Sequence, residues 1–344
     1  MSYEQLESVW PVSGSILIQD DIAYALAGRS MFLDGGMRLL RLDPLTGEKL
    51  SETILDDRDP RTGKNLQSRI DHKKMPVALP DILSSDGKFV YMRSQRFNLD
   101  GHRAVIDPEH QTDQEGEGTH LFCPTGLLDD TWFHRTYWIY GKNAGEGWSD
   151  WPVAARLVPA GRILTFDDEH VYGYGRHPQY LCNSSVLEYR LFAADKTFDP
   201  NRAAYINKVK IPQNTVNWKN RSEHPEPDLS AVRRKWLIEK PELIAKAMVL
   251  ADQTLFVAGP PDVVDEESIW GRTLESEVQA KLRAQSAALE GEQGSLLWAV
   301  SASNGEKMAE YKLKSVPVFD GMSAANGRLY LSMKNGCILC MAGN

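Results

Sequence analysis

The sequence predicts an all-β protein of the β-propeller class, with about six four-stranded blades in one domain spanning 1–344. Two observations carry this expectation. Six segments repeat one strand–turn–strand pattern, and each has an aromatic residue four or five positions after its turn. Two of the turn-to-turn intervals, 43 and 38 residues, approach the ~40–45 residues of a four-stranded blade. Apolar residues make up 42% and charged residues 25%, enough apolar side chain to fill a large core.

The elements follow in order. GSILIQDDIAYALAG (14–28), PDILSSDGKFVYMRS (80–94), PTGLLDDTWFHR (124–135), GRILTFDDEHVYGYGR (161–176), KAMVLADQTLFVAG (246–259) and DGMSAANGRLYLSMKNG (320–336) each read as a hairpin. The turns begin at Asp20, Asp86, Asp129, Asp167, Asp252 and Asn326. Asp, Asn and Gly suit these positions because they tolerate the positive φ that tight hairpins demand. The aromatics are Tyr24, Tyr91, Phe133, Tyr172, Phe256 and Tyr330. Two stretches, MRLLRLDPLTGEKL (37–50) and SLLWAVSASNGEKM (295–308), share Gly-Glu-Lys at 47–49 and 305–307 and supply the outer strands of their blades.

The longer intervals imply insertions at about 51–78, 196–245 and 262–294. The first is polar and charged. The second, with PEPDLSAVRRKWLIEKPE (225–242), reads as a loop with a short helix. In the third, Trp270, Leu274, Val278 and Leu282 recur every four positions and mark one face of an amphipathic helix ending near Gly291. The sixth unit stops one strand short after CILCM (337–341), and Leu6–Val12 could complete it. The alternative is part of a larger seven- or eight-bladed ring.

The outer turn and the repeated hairpin unit resemble the bacterial PQQ-like β-propeller repeat family. LESVWPVSGSILIQD (6–20), LLDDTWFHRTYWIYG (127–141), PAGRILTFDD (159–168), LFVAGPPDVVDEE (255–267) and FDGMSAANGRLYL (319–331) are similar to large exported members of uncertain activity, in the C-terminal region of a longer chain. That resemblance implies a periplasmic or exported setting, although MSYEQLESVWPV lacks the basic and apolar regions of a signal peptide. The dehydrogenase branch of the family implies PQQ with calcium, but the adjacent cysteines known from that branch are missing here.

A net charge of −8 argues against nucleic acid as a partner, and no apolar stretch reaches the ~20 residues of a membrane span. Of the four cysteines, Cys337 and Cys340 form a lone CxxC read as two buried thiols on opposite strand faces; no metal signature emerges. His102, His110 and His120 lie in an acidic segment read as a loop.

Each second strand leads into a loop on one face of a propeller, and these loops carry Arg29, Arg93, Arg135, Arg176 and Lys334. Arginine forks suit carboxylate, sulfate or phosphate, so this rim is a candidate site for an anionic small molecule or a glycan. The unit containing Phe256 has no such cation. TWFHRTYW (131–138) adds Trp132 and His134, and His177 follows Arg176. Solvated or ion-paired arginines and a strand of buried aromatics explain the same residues without a ligand.

Three function classes stay open. One is a non-catalytic recognition or scaffold propeller. Another is an enzyme, either a PQQ-dependent dehydrogenase or a glycan-cleaving enzyme using His134 as acid or base. The third is a protein–protein platform on the insertions.

Overall fold

The computed structural model describes residues 6, 8–12, 14, 16–65, 82–93, 95–104, 120–123, 138–141, 155, 157–176, 189–197, 199–208, 230–269 and 271–343. The chain divides into two compact units, Met1–Thr131 with Arg135–Trp151, and Trp132–His134 with Pro152–Asn344. Among the described residues the strands form six small antiparallel sheets, three of four strands and three of three, each built from consecutive strands. This is the blade architecture of a β-propeller, as the repeat predicts.

In the first unit, β1 (Leu17–Gln19), β2 (Ile22–Ala27), β3 (Met37–Leu42) and β4 (Lys49–Leu55) form one sheet in chain order. β5 (Ser84–Ser85), β6 (Phe89–Met92) and β7 (Gln95–Asn98) form a second, and β8 (His120–Phe122) pairs with β9 (Trp138–Gly141). Tyr24, Leu26, Met37 and Leu39 of the first sheet pack with Val90, Met92 and Phe97 of the second. Each such fully buried side chain contributes roughly 1.5–3 kcal/mol.

The second unit opens with β10 (Ala160–Gly161) and continues as three sheets. They are β11 (Ile163–Phe166) to β14 (Arg234–Ile238), β15 (Ala247–Ala251) to β18 (Lys307–Leu313), and β19 (Pro317–Ala325), β20 (Arg328–Met333) and β21 (Ile338–Ala342). The intervening strands are β12 (His170–Arg176), β13 (Tyr189–Asp195), β16 (Thr254–Gly259) and β17 (Ser295–Ser301). The first strands lie side by side, β15 against both β11 and β19. The Asp320 N–H donates to the Lys246 carbonyl at 2.8 Å across this contact. Tyr172, Leu191 and Trp236 pack against Leu255, Val257 and Trp298 between the first two of these sheets.

The predicted turns are built by their acidic residues. Asp167 Oδ1 accepts from the Glu169 and His170 N–H groups (2.8 and 2.7 Å), and its Oδ2 accepts from the Tyr172 hydroxyl at 2.8 Å. Asp86 repeats this with the Lys88 and Phe89 N–H groups and the Tyr91 hydroxyl. Asp20, Asp252 and Asn326 instead adopt φ of 51°, 51° and 52°. The hairpin expected around Asp129 and Phe133 lies outside the described residues.

Five expectations need correction. RKWLI (234–238), read as part of a loop with a short helix, is strand β14, and among the described residues of that interval the helix is α1 (Pro200–Lys208). Trp236 explains the strand, because it is buried and donates to the Ala302 carbonyl at 2.8 Å. The helix of the third insertion, α3 (Ser276–Glu290), begins after Leu274, which is 94% exposed. It closes on Gly291 as expected, at φ 97°, and Val278 and Leu282 pack on Val264 and Ile269.

The strand expected over Leu6–Val12 does not form among the described residues, and residues 8–12 run along the first sheet. The Gly28 N–H donates to the Pro11 carbonyl at 2.9 Å, and the Arg38 guanidinium covers the Trp10 ring. The last sheet therefore has three strands among the described residues, and Cys337 and Cys340 are exposed at its outer edge, not buried. His120 is a buried strand residue and not part of a loop: it stacks on Tyr91 at 4.1 Å, and its Nε2 donates to the Arg93 carbonyl at 2.6 Å.

Candidate ligand-binding cleft

Arg29, Arg93, Arg176 and Lys334, expected at the exits of the second strands, differ in setting. Arg29, just beyond β2, is exposed and donates to the Ser8 carbonyl at 3.0 Å. Arg93, just beyond β6, is buried (1% exposed) with φ 51°. Arg176 ends β12, where its backbone pairs with Tyr189. Lys334, just beyond β20, is exposed, and its N–H donates to the Val316 carbonyl at 2.9 Å. Trp132, His134, Arg135 and His177 lie outside the described residues.

At the same step of the sheet that has no cation there, the chain builds a cleft of about 250 Å³ lined by Tyr174, Tyr189, Ile244, Asp262, Glu266, Gln285 and Leu289. Tyr174 on β12 and Tyr189 on β13 are diagonal neighbours on one sheet face, since Tyr174 pairs with Leu191 and Tyr189 with Arg176. Their rings stack at 5.0 Å and 11°. Burial foremost, then the charges of Asp262 and Glu266 and the neighbouring Tyr189, hold the Tyr174 phenol well above its ordinary pKa, so it keeps its proton.

The opposite wall begins where β16 ends. Gly259 lies so close to the backbone before β15 that a Cβ there would stand 1.8 Å from the Ile244 carbonyl oxygen. Pro260 and Pro261 then hold the chain extended. The Ile244 N–H donates to the Pro260 carbonyl, and the Asp262 N–H donates to the Glu242 carbonyl at 3.0 Å. From α3, Gln285 clasps this segment: its Oε1 accepts from the Val263 N–H at 2.8 Å and its Nε2 donates to the Pro261 carbonyl at 3.1 Å. Asp262 is fixed between those two bonds. Glu266 opens the short helix α2 (Glu266–Ile269), where Asp265 accepts from the Ser268 N–H and pairs with Lys240 at 2.6 Å.

Asp262 is the unusual group. Its Oδ1 is sealed from solvent and accepts no hydrogen bond among the described residues. Burial pushes its pKa up to about 6, a main-chain hydrogen bond from Val264 opposes the rise, and the Asp265 charge adds to it. At neutral pH it is therefore mostly ionised, with an acceptor oxygen whose lost hydration nothing replaces, a costly state. Such a cleft can receive a donor.

Sequence reasoning singled out Tyr174, next to Arg176 and His177, but passed over Tyr189, Asp262, Glu266 and Gln285. The signal available was PPDVVDEE directly after a strand, where two prolines and a run of acids replace the cation of the other units. Gln285 had no such signal, since its role depends on how α3 docks. A larger groove of about 670 Å³ lies between the β15–β16 and β19–β20 turns. Its walls are turn backbone and apolar side chains such as Phe256, Leu297 and Met341, and no buried polar group converges there.

No family model matches the chain, and no curated protein matches it. Among solved structures it is similar to BamB from Moraxella catarrhalis, at 10% identity and a TM-score of 0.40, over 97% of this chain and 73% of that one. It is also similar to the quinohemoprotein alcohol dehydrogenase ADHIIG from Pseudomonas putida HK5 (11%, 0.29, 98% of this chain and 41% of that). A third is the dihydro-heme d1 dehydrogenase NirN (10%, 0.32, 96% and 63%). The chain spans less than two thirds of the length of both dehydrogenases. Among the described residues, no helix is long and apolar enough to cross a membrane.

The cleft does not fit PQQ. That quinone carries three carboxylates, whereas the cleft offers Asp262 and Glu266, of the same sign, and a Gln285 amide already engaged at both ends.

Proposed function

We propose that this chain is a non-catalytic recognition or scaffold β-propeller that holds a ligand in the cleft between the tyrosine pair and Asp262. One observation carries the proposal: a buried carboxylate oxygen with no donor among the described residues, on a segment locked by Gln285 and two prolines. A site pre-set on rigid elements loses little entropy when it binds. The resemblance to exported propellers supports an exported setting for this role.

The test is equilibrium binding of the purified chain to a panel of amines, neutral glycans, anionic glycans and PQQ, at low and moderate salt, with Tyr189→Ala as the cleft variant. We expect at least one class to bind and to lose roughly tenfold or more in affinity in Y189A. Binding that ignores Y189A would move the site elsewhere. The first place to look would then be Arg29 and Lys334, both exposed just after their second strands and suited to an anion. Turnover lost in His134→Ala would favour an enzyme instead.

A further inference from the structure

We infer that the group this cleft takes is a cation of side-chain size, an alkylammonium or a guanidinium, presented by a partner protein's lysine or arginine or by a free amine. This rests on the cleft being the binding site.

The lining decides the sign of the ligand. Asp262 and Glu266 offer carboxylates, and the Gln285 amide has both ends committed to Val263 and Pro261, so it has no role toward an anion. The nearby Lys240 is already paired with Asp265. Tyr174 and Tyr189 line the cleft as well, and aromatic rings carry a quadrupole that attracts cations. The size agrees: about 250 Å³ is below the ~300–1,000 Å³ of sites for drug-sized molecules and suits one extended side chain. The net charge of −8 draws cations in over a distance.

The groups facing Asp262 are Asp265 and Glu266 from its own segment and α2, Tyr174 and Tyr189 from the sheet, and Gln285 from α3, with Ile244 as the apolar neighbour. Tyr174 stays protonated, and across pH 5–7.5 Asp262 gains charge, its pKa standing at about 6. Cation binding should therefore strengthen as pH rises through that value.

The experiment is calorimetric titration of the full chain with N-acetyl-lysinamide, N-acetyl-argininamide and the uncharged N-acetyl-norleucinamide, at pH 5.0 and 7.5, for wild type and Asp262→Asn. We expect the lysine or arginine probe to bind at least tenfold tighter than norleucinamide at pH 7.5. That preference should weaken several-fold at pH 5.0 and disappear in D262N. A thermal melt checks folding of D262N, which removes a buried charge and should melt no lower than wild type.

Equal affinity for the charged and uncharged probes, or a cation preference that survives in well-folded D262N, overturns the inference. Cleft-dependent binding of norleucinamide or a glycan would leave the cleft as a site and refute only its cation preference. Silence from every probe would remove both. Butylamine and a lysine-containing hexapeptide separate the sources. Comparable affinities indicate a free amine, and a peptide tenfold tighter indicates a protein partner.

Discussion

At the scale of single residues, the spacing of turn acid and aromatic has a chemical cause. Asp86 with Tyr91 and Asp167 with Tyr172 are each five apart, and in both the phenol donates to the carboxylate that caps the turn. For both acids burial alone would raise the pKa, but the two main-chain N–H bonds and the tyrosine hydroxyl outweigh it, and the pKa is lowered. A depressed carboxyl contributes stability above its unfolded pKa of about 4 and loses it as pH falls through the folded value. Asp167→Ala should thus cost about 1–2 kcal/mol in urea denaturation at neutral pH, at the low end for a charged acceptor because the turn is half exposed. The gap to wild type should narrow as pH falls below about 4. These pairs were legible in the sequence because all their atoms belong to one hairpin. Asp262 was not, because its significance comes from Gln285 and the tyrosines, distant in sequence and joined only by packing.

At the scale of elements, the outer hairpins repeat more often than the sequence pattern suggested. β3–β4 and β17–β18 turn identically: the Gly47 N–H donates to the Asp43 carbonyl and the Gly305 N–H to the Ser301 carbonyl, at φ of 74° and 77°. DPRTG at 59–63, read only as charged insertion, makes the same turn as DPLTG at 43–47, with the Asp59 Oδ1 accepting from the Arg61 and Thr62 N–H groups. All three four-stranded sheets carry a register shift between third and fourth strand, a bulge that a two-residue alternation cannot reveal. The two glycines allow a paired test. A Cβ at Gly47 meets nothing within 4 Å, while one at Gly305 would stand 2.7 Å from the Trp236 ring. Gly47→Ala should cost only the left-handed strain, about 1 kcal/mol. Gly305→Ala should cost a further ~1–3 kcal/mol for displacing a packed indole. Equal melting temperatures for the two variants would show that Trp236 yields freely.

At the scale of the whole molecule, the repeat was legible because tight hairpins write themselves locally, while strand count and edges depend on which segments meet. The exposure of Cys337 and Cys340 illustrates this: their burial was inferred from an apolar run, but β21 has no further strand beside it among the described residues. Cys123 in the other unit is buried. A thiol reagent under native conditions, followed by peptide mapping, should label Cys337 and Cys340 within minutes and Cys123 only as fast as the first unit opens. Comparable rates at all three would contradict the burial of Cys123.

One topological detail reaches further than stability. The chain leaves its ladder at Gly259 and rejoins it at Ser295, and Gly259 pairs directly with Leu296. Everything from 260 to 294, including α2, α3, Asp262 and Gln285, is thus an excursion between two adjacent rungs. Such a segment behaves as a cassette. Evolution or an engineer can swap it whole, trading one binding preference for another, while the blade beneath keeps its register.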